Sequence, residues 1–203
     1  MNSISRTLVL AFVAAWFGIL PTQAQFITHE VPLWEGVEKT DDDIANDTEL
    51  VRKAIERANG DRFTAVRALV DIGWQRIGAG DPNHAIRAFN QASLIEPEFP
   101  DIFWGLAVAT HIRGDELMVV ERWISRTEQE IGKDARLVTD HGRILGERKM
   151  PEKAKTLFMK ALAINPDYIP AHAGMIRVAQ DLNDRLLEEK HQKRHDELTG
   201  KTQ

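Results

Sequence analysis

A chain of 203 residues that is 43% hydrophobic suits one domain with a sizeable core. With 26 Lys and Arg against 31 Asp and Glu, its net charge of −5 supplies no basic field for nucleic acid. It contains no cysteine, which excludes disulfides and an N-terminus lipidated on cysteine.

Residues 1–24 read as a secretion signal. Arg6 supplies the positive charge, Leu8 to Leu20 is apolar, and Thr22-Gln23-Ala24 presents small residues before a cut expected after Ala24. The apolar run is shorter than the ~20 residues a membrane span needs, with an uncleaved anchor as the alternative. Loss of Arg6 with this segment moves the net charge from −5 to −6. A cysteine-free exported chain fits a bacterial periplasm. Residues 25–45 are expected to be a flexible acidic tether, because Pro32, Gly36 and the run Asp41-Asp42-Asp43 break any period. Trp34, inside it, either docks on the first helices downstream, the favoured reading, or stands exposed as an anchor for a partner. From Asp47 a helix is expected, with Val51, Ile55 and Ala58 in one phase and Gly60-Asp61 as its turn. It reads as a half repeat that caps the helical segments downstream of it.

A phrase then occurs twice with its spacing intact. Ala85, Phe89, Ala92 and Pro97 are matched, each 69 residues later, by Ala154, Phe158, Ala161 and Pro166, and Pro82 is matched by Pro151. Between them Gly80-Asp81 recurs as Gly114-Asp115, one unit of 34 later. Fixed periods of this size mean a solenoid in which each unit touches its neighbours. The residue types have physical reasons. Gly73, Ala85, Ala92, Gly142, Ala154 and Ala161 are small where helices pack at about 8–10 Å. Phe89 and Phe158 fill the joints between successive hairpins. Pro82 and Pro151 suit the first turn of a helix, and Pro97 and Pro166 end one by restricting the residue before them. Residues 169–187 are expected to form a closing helix with Leu182 and Leu186 inward. Residues 188–203 are expected to form a frayed charged tail.

These residues resemble the tetratricopeptide repeat, a pair of antiparallel helices. Leu69, Ile72-Gly73, Ala85, Phe89, Ala92 and Pro97 stand at the family's pattern places, with Arg76 where its tyrosine is usual. Val138, His141-Gly142, Ala154, Phe158, Ala161 and Pro166 form a second good copy. A middle copy keeps Phe103, Leu106-Ala107 and Trp123 but has Arg126 for a small residue and Ile131 for proline. The resemblance implies an all-α, right-handed solenoid of antiparallel helix hairpins with capping helices, spanning 46–187, with repeats at about 66–99, 100–134 and 135–168.

It also implies that the first helix of each hairpin lines a concave groove. Its inward stripe in the first copy is Leu69, Ile72 and Gly73. The opposite stripes are Arg67, Asp71 and Trp74; Asp101, Trp104, Val108 and His111; Arg136, Asp140 and Arg143; and Arg177. Two tryptophans beside arginines suit an extended peptide with an apolar anchor and acidic residues. Alternatively, Trp74 and Trp104 pack on each other and the arginines balance Asp71, Asp101 and Asp140. Val70 and Trp74 occupy the first two places of the family's carboxylate clamp, so recognition of a chaperone C-terminus is not expected. His191, His195 and Asp196 have metal-ligand spacing in a densely charged segment, where a solvated helix face is favoured. His141 and His172 fall at inward places of adjacent repeats, where they are read as core residues that stack or share a hydrogen bond. No phosphate loop, nucleophile elbow or metal-protease helix is present. The expectation is a non-catalytic periplasmic scaffold or assembly adaptor of the cell envelope. It takes a protein or extended peptide as partner, with no cofactor, metal, nucleic acid or membrane span in the mature chain. The alternatives are self-association through the degenerate middle repeat, or a metal-dependent enzyme using the histidines.

Overall fold

The structure is a computed structural model, and it describes residues 28–201. The expected signal segment therefore lies outside the described residues. Among them no strand occurs, and nine α-helices succeed one another: α1 Asp41–Arg57, α2 Arg62–Gly78, α3 Pro82–Ile95, α4 Pro100–Arg113, α5 Leu117–Ile131, α6 Ala135–Glu147, α7 Pro151–Ile164, α8 Ile169–Asp181 and α9 Arg185–Thr199. They pair as hairpins α2/α3, α4/α5, α6/α7 and α8/α9, and α1 packs over α2 and α3. The result is an all-helical repeat solenoid.

Local sequence accounts for the breaks. Asp61, Asp81, Asp134 and Asp184 cap α2, α3, α6 and α9 with their carboxylates. Prolines at the first turns of α3, α4, α7 and α8 take positions where no N–H is needed. Glu96 and Asn165 are extended just before Pro97 and Pro166, as the following ring requires. Phe89 is fully buried and Phe158 is 3% exposed, each in the joint between successive hairpins. Each ring lies between glycines of two neighbouring helices, Gly73 and Gly105 for Phe89, Gly142 and Gly174 for Phe158.

Several expectations change. The acidic run does not break order. Thr40 and Asp43 form a reciprocal capping box, and Asp41 to Asp43 make the first turn of α1, where carboxylates meet the positive end of the helix. Residues 28–40 are not a free tether either. They form two 3₁₀ turns, Thr28–Glu30 and Pro32–Trp34, laid across α3. Buried Asn90 holds them, accepting from Leu33 N at 2.8 Å and donating to the carbonyls of His29 at 3.1 Å and Val31 at 2.8 Å. Glu30 is paired with Arg87 at 2.8 Å. Leu33 packs against the core, while Trp34 is half-buried under the Lys39 ammonium, 3.3 Å from its ring centre. Leu33 and Trp34 have φ of 48° and 55°, a left-handed pair that this docking sustains.

The C-terminal expectation changes most. The closing helix ends at Asp181, and the charged segment folds back as α9 against α8. The reason is local: Asn183 turns the chain at φ 56°, Asp184 caps α9, and Leu187 and His191 face inward. Leu182 packs as expected, but Leu186 is 81% exposed. Ile72, read as inward, is 43% exposed, and Val70 and Gly73 are the buried residues of that turn.

In the middle repeat Phe103 and Trp123 stack at 6.3 Å with Arg126 over Phe103, so the unusual arginine covers an aromatic pair. Ile131 closes α5 with Gly132 at φ 71° in the role of the missing proline. At this point α5 only grazes α6, whereas α3 lies along α4 and α7 along α8. The apolar core accordingly divides into an N-terminal and a C-terminal cluster, joined through Leu117.

Candidate functional site

The first helices of the hairpins, α2, α4, α6 and α8, lie side by side and form one face of the solenoid. All eleven sequence-predicted groove residues are on these helices, but the structure treats them differently.

Trp74 and Trp104 do not form an open aromatic shelf. Trp74 stands edge-on to Phe89 and to Trp104, with centroids 5.9 Å apart in each case. Trp104 is 9% exposed, and its Nε1–H donates to Asp140 Oδ2 at 3.0 Å. The Arg136 guanidinium covers its ring at 5.4 Å. Val108 is buried as well. The N-terminal half of the groove is therefore filled from within. The physical reason is the small-residue seam: Gly73 and Gly105 let the helices close on Phe89, and the indoles fill the wedge above it. Arg67 and Asp71 remain exposed at the N-terminal edge, and Asp101 is half-buried.

The polar residues form a chain along the face. Asp134 accepts from Arg136, and this hydrogen bond holds the Asp134 carboxyl below its ordinary range. Arg143 reaches Asp140 at 3.4 Å and Glu147 at 3.5 Å, both long contacts. His111 Nε2–H donates to Glu147 at 2.7 Å, and its Nδ1 accepts from Arg148, which also donates to the Asp115 carbonyl at 2.6 Å. His111 thus acts as a strut between α4 and α6. Arg177 is exposed and makes no ion pair among the described residues.

What the sequence reading missed is a cavity of about 290 Å³ between α6 and α8. Its floor is Phe158. Thr139, Gly146, Ala173, Gly174 and Val178 line its walls, and Asp140, Arg143, Glu147, Arg177 and Asp181 stand around it. Three of the predicted residues, Asp140, Arg143 and Arg177, meet here. Thr139 is 6% exposed and its Oγ1 has no hydrogen-bond partner. The matched glycines Gly105 and Gly174, also 69 residues apart, were the available signal.

The histidines are placed as structural residues, in a different pairing from that expected. His172 Nδ1 meets His191 Nδ1 at 2.9 Å, and His172 Nε2–H donates to the Pro166 carbonyl at 2.9 Å. With that tautomer, His172 accepts from His191 Nδ1–H and the pair ties α9 to α8. His191 is 6% exposed, and its pKa is lowered to about 4 by burial and by the neighbouring His172. Burial lowers the His141 pKa from its ordinary value, and its Nε2 is 3.9 Å from Glu121, beyond hydrogen-bond reach. Among the described residues no cluster of three or more His, Asp or Glu has the arrangement of a metal site. Among them, too, no helix is long and apolar enough to cross a membrane.

No protein-family model and no curated protein sequence matches the chain. Solved structures do resemble it. PilF of Pseudomonas aeruginosa superposes with a TM-score of 0.60 at 19% identity, covering 68% of this chain and 62% of PilF. Two structures of MamA superpose with TM-scores of 0.55 and 0.56 at 20% and 18% identity. They cover 72% and 76% of this chain and 93% and 94% of theirs. The chain spans less than two thirds of the PilF length. PilF and MamA are tetratricopeptide-repeat proteins, and with the helix pairing and the clamped phenylalanines they identify the fold of this chain as a tetratricopeptide-type solenoid.

Proposed function

We propose that this protein is a non-catalytic interaction scaffold that holds an extended segment of a partner protein along the face formed by α2, α4, α6 and α8. The observation that carries this reading is the cavity over Phe158, which is apolar inside and charged at its edge. Apolar anchors in such depressions dominate peptide affinity, and surrounding charges guide association. The groove is narrower than the sequence suggested, because Trp74 and Trp104 occupy its N-terminal half. Binding is therefore centred on α6 and α8. The leader-like segment supports export, and the periplasm as the place of action, with assembly of the cell envelope as the setting. Intact mass of the protein from its native envelope tests the export step, with an N-terminus at Gln25 expected and a full-length membrane-embedded species overturning it.

The binding reading is tested by selecting peptides from a displayed random library. Amide shifts of the labelled protein then locate the selected peptide. Shifts concentrated on α6 and α8 are expected, and they should vanish when Arg143 and Arg177 are both replaced by Glu. Shifts confined to α3, α5 and α7 would overturn the proposal.

A further inference from the structure

The 69-residue offset relates more than the repeat signature. A Cβ built on Gly73 or Gly105 would fall 2.5 or 2.1 Å from the Phe89 ring, and one on Gly142 or Gly174 2.9 or 2.4 Å from Phe158. Gly142 follows Gly73, Gly174 follows Gly105 and Phe158 follows Phe89 at the same interval. The same ring-between-glycines joint is therefore built twice. The two copies differ in what lies above the ring. In the first, Trp74 stands on Phe89 and Trp104 on Trp74. In the second, Arg143 takes the place of Trp74 and Ala173 that of Trp104. The space those indoles would fill is the cavity of about 290 Å³. Val70 of the first joint is buried, and its counterpart Thr139 carries a buried hydroxyl without a partner.

From this comparison we propose that the cavity is a socket for an aromatic side chain, tryptophan above all, presented by an extended segment of a partner protein with an acidic residue beside it. The proposal rests on the peptide-binding reading above and names the partner's chemistry. The volume supports a single side chain. A dry cavity of about 150 Å³ takes a benzene ring, so this one has room for an indole, and it lies just below the usual range of small-molecule sites. The floor supports an aromatic, because Phe158 is placed to receive a ring edge-on as Phe89 receives Trp74. Thr139, in the cavity wall, carries a closed-off hydroxyl without a partner, which a turn about its χ1 brings to the N–H as acceptor, the role Asp140 has for Trp104 in the first half. The charges support an acidic neighbour. Asp140 and Glu147 are already engaged by Trp104 and His111, Arg143 has only long contacts, and Arg177 has no ion pair among the described residues. Asp181, one turn beyond Arg177, is the remaining carboxylate and disfavours a second acidic residue on that side.

The test uses the labelled protein and three N-acetylated, C-amidated peptides, Gly-Ser-Asp-Trp-Ser-Gly and its versions with Leu or Ala for Trp. The Trp peptide should shift the amides of Thr139, Gly146, Gly174 and Val178 saturably and bind about tenfold more tightly than the Leu peptide. N-acetyltryptophanamide should reach the same residues more weakly, which separates a peptide socket from a site for the free amino-acid derivative. Ala173→Trp supplies the side chain from within, as Trp104 does in the first joint, and should abolish peptide binding without lowering the melting temperature. Should that variant fail to fold, Ala173→Leu is the smaller plug and should weaken the Trp peptide about tenfold. Equal binding of the Trp and Leu peptides, or Trp binding that survives the plug, overturns the socket while library-selected peptides still mapping to α6 and α8 leave the groove reading intact. Absence of any peptide on α6 and α8 overturns both.

Discussion

The two clamped phenylalanines differ in surroundings, and truncating each should expose the difference. Phe89→Ala removes a ring that is fully buried, enclosed by Gly73 and Gly105 and capped by Trp74. Burial alone places such a change at about 3–5 kcal/mol. The edge-on contact with Trp74 adds about 0.5–1.5 kcal/mol beyond area, so the cost lies at the upper end. Phe158→Ala removes a ring with the same glycine clamp but with a cavity above it and no indole partner. Fewer contacts are lost and the cavity merely deepens, so the cost should be near 3 kcal/mol, about the lower end. Melting temperatures fall about 2–4 °C per kcal/mol in a domain of this size. Thermal and urea unfolding, followed by far-ultraviolet circular dichroism, should therefore rank Phe89→Ala clearly below Phe158→Ala. Phe158→Ala costing as much as or more than Phe89→Ala would refute the argument, because it would mean that the space above Phe158 is already packed.

Three further outcomes are expected from the same geometry. Trp104→Ala should cost about 3–5 kcal/mol, read by urea unfolding, since the side chain is buried and bonded to Asp140; a change of the size usual at a surface would restore the open-shelf reading. Asn90→Leu leaves Leu33 N–H and the His29 carbonyl without their partner and the Val31 carbonyl with Trp34 N–H alone, each unpaired group worth about 1–3 kcal/mol if it stays buried, so this segment should become the first site of limited proteolysis while α2 to α9 stay protected. The His191 pKa is depressed to about 4, so the unfolded chain binds the extra proton first; the stability it supports is complete above the ordinary histidine range near 6.5 and is lost as pH falls toward about 4. Hydrogen exchange should show α9 loosening over that window, and His191→Phe should remove this pH dependence.

The repeat architecture was legible because its code is local. Ala85, Phe89, Ala92 and Pro97 and their copies 69 residues later specify small contact points, a joint-filling ring and a stop. The caps and first-turn prolines act within a few residues of themselves. The same local logic explains one miss, since Thr40 and Asp43 form a capping box that marks a helix start, while the acidic run between them reads as a break. α9 was hidden for a different reason. Most of its surface is charged, and what holds it to α8 is Leu187 of its first turn, a hydrogen bond from Gln180 to Glu188, and His191, whose partner His172 is 19 residues away. Helical spacing placed Trp74, Trp104, Asp140, Arg143 and Arg177 on the right helices, but not the depth at which each would lie. Depth depends on how closely neighbouring hairpins approach, and that is decided by Gly73, Gly105, Gly142 and Gly174 closing on two phenylalanines from different helices. Period, helices and face are thus properties of local sequence. That one joint is filled by the chain's own indoles and the other left open emerges only in three dimensions, because occupancy of a joint is a sum over side chains from three helices that no local pattern encodes.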